Sequence, residues 1–346
     1  MRQAVRIIGV GRYLPEQRLT NADLEQMVET TDEWIVERSG IRERRIAAPE
    51  ESSSTLGAEA ARRALASAAL EPGDIDLVIV GTCTPDGMFP ATATLIQHAI
   101  GVRDAAAFDV NAACTGFLVA LGTASQFVSS GSARRALVIG TETMSRIVDW
   151  TDRDTCVLFG DGAGAIVIEG TPAGEQGAVE SFLLRSDGSH ADLLYARGPA
   201  SPNPNGELLK SMIVMDGRSI FRQAVTAMSS AAREAIAGAG LTIDEIALCV
   251  PHQANLRILK AMARNIGLAQ NRVYVNLDRY GNTSTATIPI ALTEATAEGR
   301  LAPGDKLLIV AFGGGLSWGA MVMEWSGVAV QPPAEIERVS APAVIS

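Results

Sequence analysis

Residues that bind metals or build redox sites are scarce in this chain. Its 346 residues hold four cysteines, Cys83, Cys114, Cys156 and Cys249, widely spaced and with no CxxC pair. That spacing argues against a zinc site and against a disulfide framework. Three histidines, His98, His190 and His252, leave little for a metal cluster. No apolar run reaches the length of a bilayer-spanning helix, and residues Met1 to Ile8 enter a strand-like pattern without the layout of a signal peptide. A cytoplasmic protein with no membrane association is expected. Positive charge is in deficit, 29 Lys and Arg against 39 Asp and Glu. The resulting acidity argues against nonspecific nucleic-acid binding, yet leaves room for a local basic patch that docks an acidic partner.

Apolar residues, by contrast, are plentiful. At 47% hydrophobic content the chain can fill a substantial core, as two ordinary domains or one large two-part fold. The same order of elements occurs twice, at an offset of about 170 residues. An alanine-rich helix, Ala60 to Leu70, resembles Ala231 to Leu241. Each is followed by an acidic turn and an apolar strand, Ile75 to Val80 and Ile246 to Val250. A loop and helix come next, Thr92 to Ile100 and Asn255 to Ile266. A strand leading into a helix follows, Phe108 to Cys114 and Val273 to Asn282. Ala136 to Gly140 then pairs with Leu307 to Val310. Apolar strands alternating with helices predict parallel sheets covered on both faces. Ligand sites in such sheets lie beyond the carboxyl ends of the strands. The duplication thus predicts that Cys114 and Asn282 hold equivalent positions, and that the Pro251-His-Gln253 loop converges with them near a pseudo-twofold axis.

The segment Asp109 to Phe117 places a lone cysteine where an apolar strand, Ala106 to Val110, gives way to an apolar helix, Thr115 to Val128. Cys114 at a helix N-terminus would face unpaired N–H groups and the positive end of the dipole, which favour thiolate and can bind an oxyanion. A buried structural cysteine is the alternative reading of this segment. His252 after a strand also reads as structural, and Asn282 as a turn or cap residue. Taken together, a Cys, a His and an Asn on three loops form a nucleophile with two hydrogen-bonding partners, suited to acyl transfer through a thioester.

The contexts of these residues are more specific than the residues themselves. They are Asn111-Ala-Ala-Cys-Thr-Gly-Phe117, Asp149-Trp-Thr-Asp-Arg153, Phe159-Gly-Asp-Gly-Ala-Gly164, Pro251-His-Gln-Ala-Asn-Leu-Arg257, Tyr280-Gly-Asn-Thr-Ser-Thr-Ala286 and Ala311-Phe-Gly-Gly-Gly-Leu-Ser-Trp-Gly319. Across roughly residues 4 to 326 the chain resembles the β-ketoacyl-acyl-carrier-protein synthase III family of the thiolase-like superfamily.

The resemblance implies an α/β thiolase-like fold: two duplicated βα halves, residues 1–172 and 173–326, in five α/β/α/β/α layers. Residues 327–346 are a proline-containing extension that reads as loosely ordered. It further implies that Cys114 takes an acyl group from acyl-CoA, and that His252 and Asn282 hydrogen-bond the carbonyl of a malonyl thioester. The main chain of Cys114 and Gly314 would hold the acyl oxyanion. Trp34, Arg38 and Arg153 match CoA contacts, an aromatic and guanidinium arrangement suited to a base and phosphates. Asn255 matches a pantetheine contact, Phe89 a residue reaching across a homodimer to the partner's acyl pocket, and Phe312 a residue beside the nucleophile. Arg257 and Arg222 match positions that dock an acyl-carrier protein. No metal or other cofactor is implied. Arg218 departs from the family pattern, standing where an uncharged pantetheine contact is expected. A cysteine hydrolase is the main rival from another class, but no cysteine-protease motif surrounds Cys114. A catalytically silent partner subunit would have lost the nucleophile. The nearest alternative is a relative in secondary metabolism that condenses or transfers other thioesters. Acyl-chain preference is assigned to the Met88-Phe89 loop and residues His190 to Ser211.

Overall fold

A computed structural model describes residues 3–172, 178–198, 201 and 212–328. Two sheets carry the molecule. The first runs in the order Ala4–Tyr13, Asp161–Thr171, Arg135–Thr143, Leu77–Gly81, Ala106–Val110. Its last three strands are parallel, and Asp161–Thr171 pairs antiparallel on both sides. The second repeats this plan as Val179–Ser186, Ser317–Glu324, Lys306–Gly313, Ile246–Pro251, with the last two parallel. The fifth strand expected from Val273 onward is reduced to one bridge, between Cys249 and Val273.

Helices fill the layers between and outside the sheets. Gly116–Ser130 and Thr287–Ala297 each touch both sheets. The second is buried from Thr287 through Ala295, as a helix enclosed on all sides must be. Ser53–Ser67 and Thr92–Ala99 cover the outer face of the first sheet, and Gly217–Gly238 and Leu256–Ile266 that of the second. The expected five-layered thiolase-like arrangement is therefore the one found.

Small residues explain how closely the layers approach. The alanine face of Ser53–Ser67 lies on the first strand so tightly that a Cβ on Gly11 would sit 2.4 Å from the Ala60 carbonyl oxygen. The same holds at the centre, where a Cβ on Gly140 would lie 2.3 Å from the Thr285 carbonyl oxygen. No helix among the described residues is long and apolar enough to cross a membrane. The extension lies outside the described residues beyond 328.

Candidate active site

Strand ends and helix starts of both halves meet at one place. Cys114 sits in a single 3₁₀ turn, Ala113–Thr115, that leads into Gly116–Ser130. The second half builds the same turn at Ser284–Ala286 ahead of Thr287–Ala297. In each, the first residue takes a left-handed backbone, Ala113 at φ 45° and Ser284 at φ 49°. In each, an asparagine two residues earlier accepts that residue's N–H, Asn111 at 3.3 Å and Asn282 at 2.8 Å. This corrects the register expected from the sequence. Asn282 is the counterpart of Asn111, and Cys114 that of Thr285. Element order alone left the alignment free to slip by three residues, and the paired φ values remove that freedom.

Cys114 is 7% exposed. Burial pushes its thiol up to about 11, against the lowering effect of a Ser284 hydrogen bond, and the Glu142 charge adds to the rise. Desolvation outweighs the hydrogen bonds that favour the anion, so the thiol rather than the thiolate expected at the helix N-terminus is the favoured resting form. Glu142 is itself fully buried and accepts from the main chain and side chain of Cys83, Thr84 and Thr285. It ties the loop after Leu77–Gly81 to the other half of the molecule. Neither Glu142 nor Ser284 was singled out by sequence, since their partners lie far away along the chain.

His252 follows the strand Ile246–Pro251, where its N–H donates to the Val310 carbonyl at 2.8 Å. Burial depresses the imidazole to about 3, with a hydrogen bond to the Ser284 main chain opposing it, so the ring is neutral near pH 7. Asn282 is anchored to the 155–160 segment: its N–H donates to the Leu158 carbonyl at 2.8 Å and its carbonyl accepts from Gly160 at 3.1 Å. Because Oδ1 accepts the Ser284 N–H, the amide is oriented and Nδ2 is its remaining donor.

These three residues line one cavity of about 1110 Å³. It extends from the buried Cys114 to half-buried Trp34 and exposed Arg38, giving a thioester a path from the surface to the thiol. The glycine run forms the wall beside the nucleophile. A Cβ on Gly313 would stand 2.8 Å from the Cys114 nitrogen, and Gly314 lies alongside with its own Cβ position 3.6 Å from that of Ala113. Phe312 is buried in the same wall.

At the outer end, Trp34 carries a guanidinium near its ring from each of two elements: Arg38 at 4.7 Å and Arg153 at 5.0 Å from the centroid. Trp34 and Arg38 share the helix Asp32–Ser39, capped by Thr31. Asn255 caps Leu256–Ile266 through Arg257 N–H and donates Nδ2 to the Arg38 carbonyl at 2.9 Å. Exposed Arg218, Arg222 and Arg257 also line the cavity, with Arg257 packed 5.5 Å from the Phe221 ring centroid. Arg218 therefore adds charge at the mouth rather than standing apart.

Two expected site residues do not line the cavity: Arg153, which reaches it only through the Trp34 ring, and Phe89. Phe89 is 84% exposed, beside Met88 at 72%. Of the His190 to Ser211 stretch, residues 199–200 and 202–211 lie outside the described residues. Among the described residues no group of His, Cys, Asp and Glu is placed to hold a metal.

Comparison with known proteins bears on the same features. The model for 3-oxoacyl-[acyl-carrier-protein] synthase III matches residues 108–188, which include Cys114, and its C-terminal counterpart matches 236–325, which include His252 and Asn282. A β-ketoacyl-[acyl-carrier-protein] synthase III of Rhizorhabdus wittichii is 50% identical over 94% of this chain and 100% of its own length. The crystal structure of 3-oxoacyl-[acyl-carrier-protein] synthase III from Aquifex aeolicus is 45% identical, covers 93% of this chain and 100% of that one, and superposes with a TM-score of 0.87. The priming β-ketosynthase of the R1128 polyketide biosynthetic pathway, at 36% identity, covers 94% of this chain and 97% of its own with a TM-score of 0.90. With both halves of the fold, the cavity and relatives of this length in agreement, the chain belongs to the 3-oxoacyl-[acyl-carrier-protein] synthase III family.

Proposed function

We propose that this protein is a condensing enzyme that loads an acyl group from acyl-CoA onto Cys114 and joins it to malonyl-acyl-carrier protein by decarboxylative Claisen condensation, initiating fatty acid synthesis. The observation that carries this reading is the convergence of Cys114, His252 and Asn282 on one cavity whose mouth bears Trp34 and Arg38, with Arg153 packed on the Trp34 ring. Cys114 attacks the thioester carbonyl, and the main-chain N–H groups of Cys114 and Gly314 receive the oxyanion. After CoA leaves, loss of carbon dioxide from the malonyl thioester creates an enolate. Asn282 Nδ2 and His252 stabilise its oxygen, and its carbon attacks the acyl-enzyme. Trp34, Arg38 and Arg153 hold the nucleotide end of CoA, and Asn255 meets the pantetheine arm. Arg222 and Arg257 dock the acidic carrier protein on an otherwise acidic enzyme. No cofactor enters these steps, because acyl-CoA is itself a substrate.

Exposed Met88 and Phe89, with the edge strand Ala106–Val110, support a homodimer in which Phe89 enters the partner's acyl pocket. Similarity to a polyketide priming ketosynthase supports a related starter role in secondary metabolism, at lower identity than the synthase III relatives.

Intact-mass measurement after incubation with a panel of acyl-CoAs tests the central claim. The protein should gain one acyl mass, and Cys114→Ala should gain none while remaining folded. An adduct mapping to Cys83, Cys156 or Cys249 would refute it.

A further inference from the structure

His252 has two ring nitrogens, and the structure distinguishes them. Nδ1 lies 2.7 Å from Thr287 Oγ1. Thr287 begins the buried helix Thr287–Ala297, and its hydroxyl also lies 2.9 Å from the Ser284 carbonyl oxygen. A carbonyl only accepts, so the single hydroxyl proton goes to Ser284 and the hydroxyl meets the imidazole as an acceptor. Nδ1 then bears the ring proton and Nε2 the lone pair; His252 and Cys114 line the cavity while Thr287 does not, so the nitrogen turned from Thr287, Nε2, is the one left for the cavity side.

We propose that Thr287 is a positioning residue that fixes His252 as the Nδ1–H tautomer, so that the unacylated enzyme offers Nε2 to Cys114 as its proton acceptor. The proposal rests on Cys114 being the acyl carrier. As the Sγ–carbon bond forms, the thiol proton moves to Nε2. As the carbon–sulfur bond to CoA breaks, that proton passes to the departing sulfur, and His252 is neutral again. Condensation consumes one proton overall, since the malonyl carboxylate leaves as neutral carbon dioxide while Cys114 returns to a thiol. That proton, drawn from solvent, enters at Nε2, makes it an N–H donor to the enolate oxygen, and ends on Cys114 Sγ. Nδ1–H keeps its place throughout. Because burial holds the resting ring neutral, the choice of tautomer decides which nitrogen can act as base.

Full-length protein labelled with ¹⁵N-histidine tests this directly, since only three histidines contribute and His252→Ala identifies the signals that belong to the site. At neutral pH the expected spectrum shows His252 Nδ1 protonated and Nε2 unprotonated. An Nε2–H tautomer in the wild type would overturn the proposal. Thr287→Val keeps the side-chain shape without the hydroxyl. It should lose the tautomer preference and slow acylation about a hundredfold, the lower end of what a positioned base contributes, with little change in acyl-CoA KM. Thr287→Ser should restore both. Undiminished acylation and an unchanged spectrum in Thr287→Val would refute a positioning role. Should Thr287→Val fail to fold, the wild-type spectrum and Thr287→Ser still decide. A wild-type protein that takes no acyl group would instead fail the functional reading, leaving the tautomer to be judged by its own spectrum.

Discussion

Replacing Asn282 separates the two half-reactions. Its Oδ1 is held by the Ser284 N–H at 2.8 Å, so the amide presents Nδ2 as a donor of set direction. In Asn282→Ala that donor vanishes where the enolate oxygen gathers charge. Loss of one such donor costs about 10²–10³ in rate, or roughly 3–4 kcal/mol of transition-state stabilisation. Acylation of Cys114 should survive, because its oxyanion is held by main-chain groups beside the glycine run. Asn282→Asp is the sharper test. It can still accept from Ser284, but it replaces the donor with a carboxylate oxygen facing the developing negative charge, so it should fall below Asn282→Ala in condensation. Acyl-adduct formation is followed by intact mass, and carbon dioxide release from malonyl thioester is followed separately. Acylation abolished with decarboxylation intact would refute this division of labour and favour a simple acyltransferase.

Three further outcomes are expected. Trp34→Ala and Arg38→Ala should weaken acylation from acyl-CoA while sparing acylation from an N-acetylcysteamine thioester, which has no nucleotide to stack; equal losses with both donors would place CoA elsewhere. Charge reversal at Arg222 and Arg257 should raise the apparent KM for malonyl-carrier protein, and salt should weaken the native interaction because exposed charges are screened; unchanged KM and salt response would move the docking site. With the Cys114 thiol pushed up to about 11 by burial, alkylation of the unloaded enzyme by iodoacetamide should climb about tenfold per pH unit from neutral pH upward, since only thiolate reacts; a plateau already at neutral pH would reveal a resting thiolate–imidazolium pair.

Local pattern was enough to locate the nucleophile, the histidine loop, the asparagine turn and the glycine run. The nucleophile and the histidine loop each follow an apolar strand and precede a helix, the glycine run joins two apolar strands, and the asparagine turn lies between two helical turns; at each the periodicity changes. The parallel part of each sheet was legible, because a fully buried parallel strand and an alanine-faced helix each leave a compositional mark that recurs in both halves; the expectation of wholly parallel sheets is corrected, since each sheet is mixed and adds antiparallel strands. The second half's fifth strand was overread: Val273 to Val275 has strand-like residues, yet only one bridge forms there.

What the sequence by itself determined was therefore the order of elements, the family motifs and the residue types available for acyl-transfer chemistry. Tertiary structure alone decided their states. The helix N-terminus under Cys114 is visible in the chain, but the burial that keeps its thiol protonated comes from walls supplied by both halves. Register between the halves was set by the left-handed residues Ala113 and Ser284, and backbone dihedrals leave no mark in composition when the residues are not glycine. Thr287 and Glu142 acquire meaning only from atoms tens to hundreds of residues away, His252 Nδ1 for one and the Cys83 and Thr285 groups for the other. Desolvation and hydrogen-bond direction are properties of neighbours in space, and for these residues the neighbours are brought together only by folding.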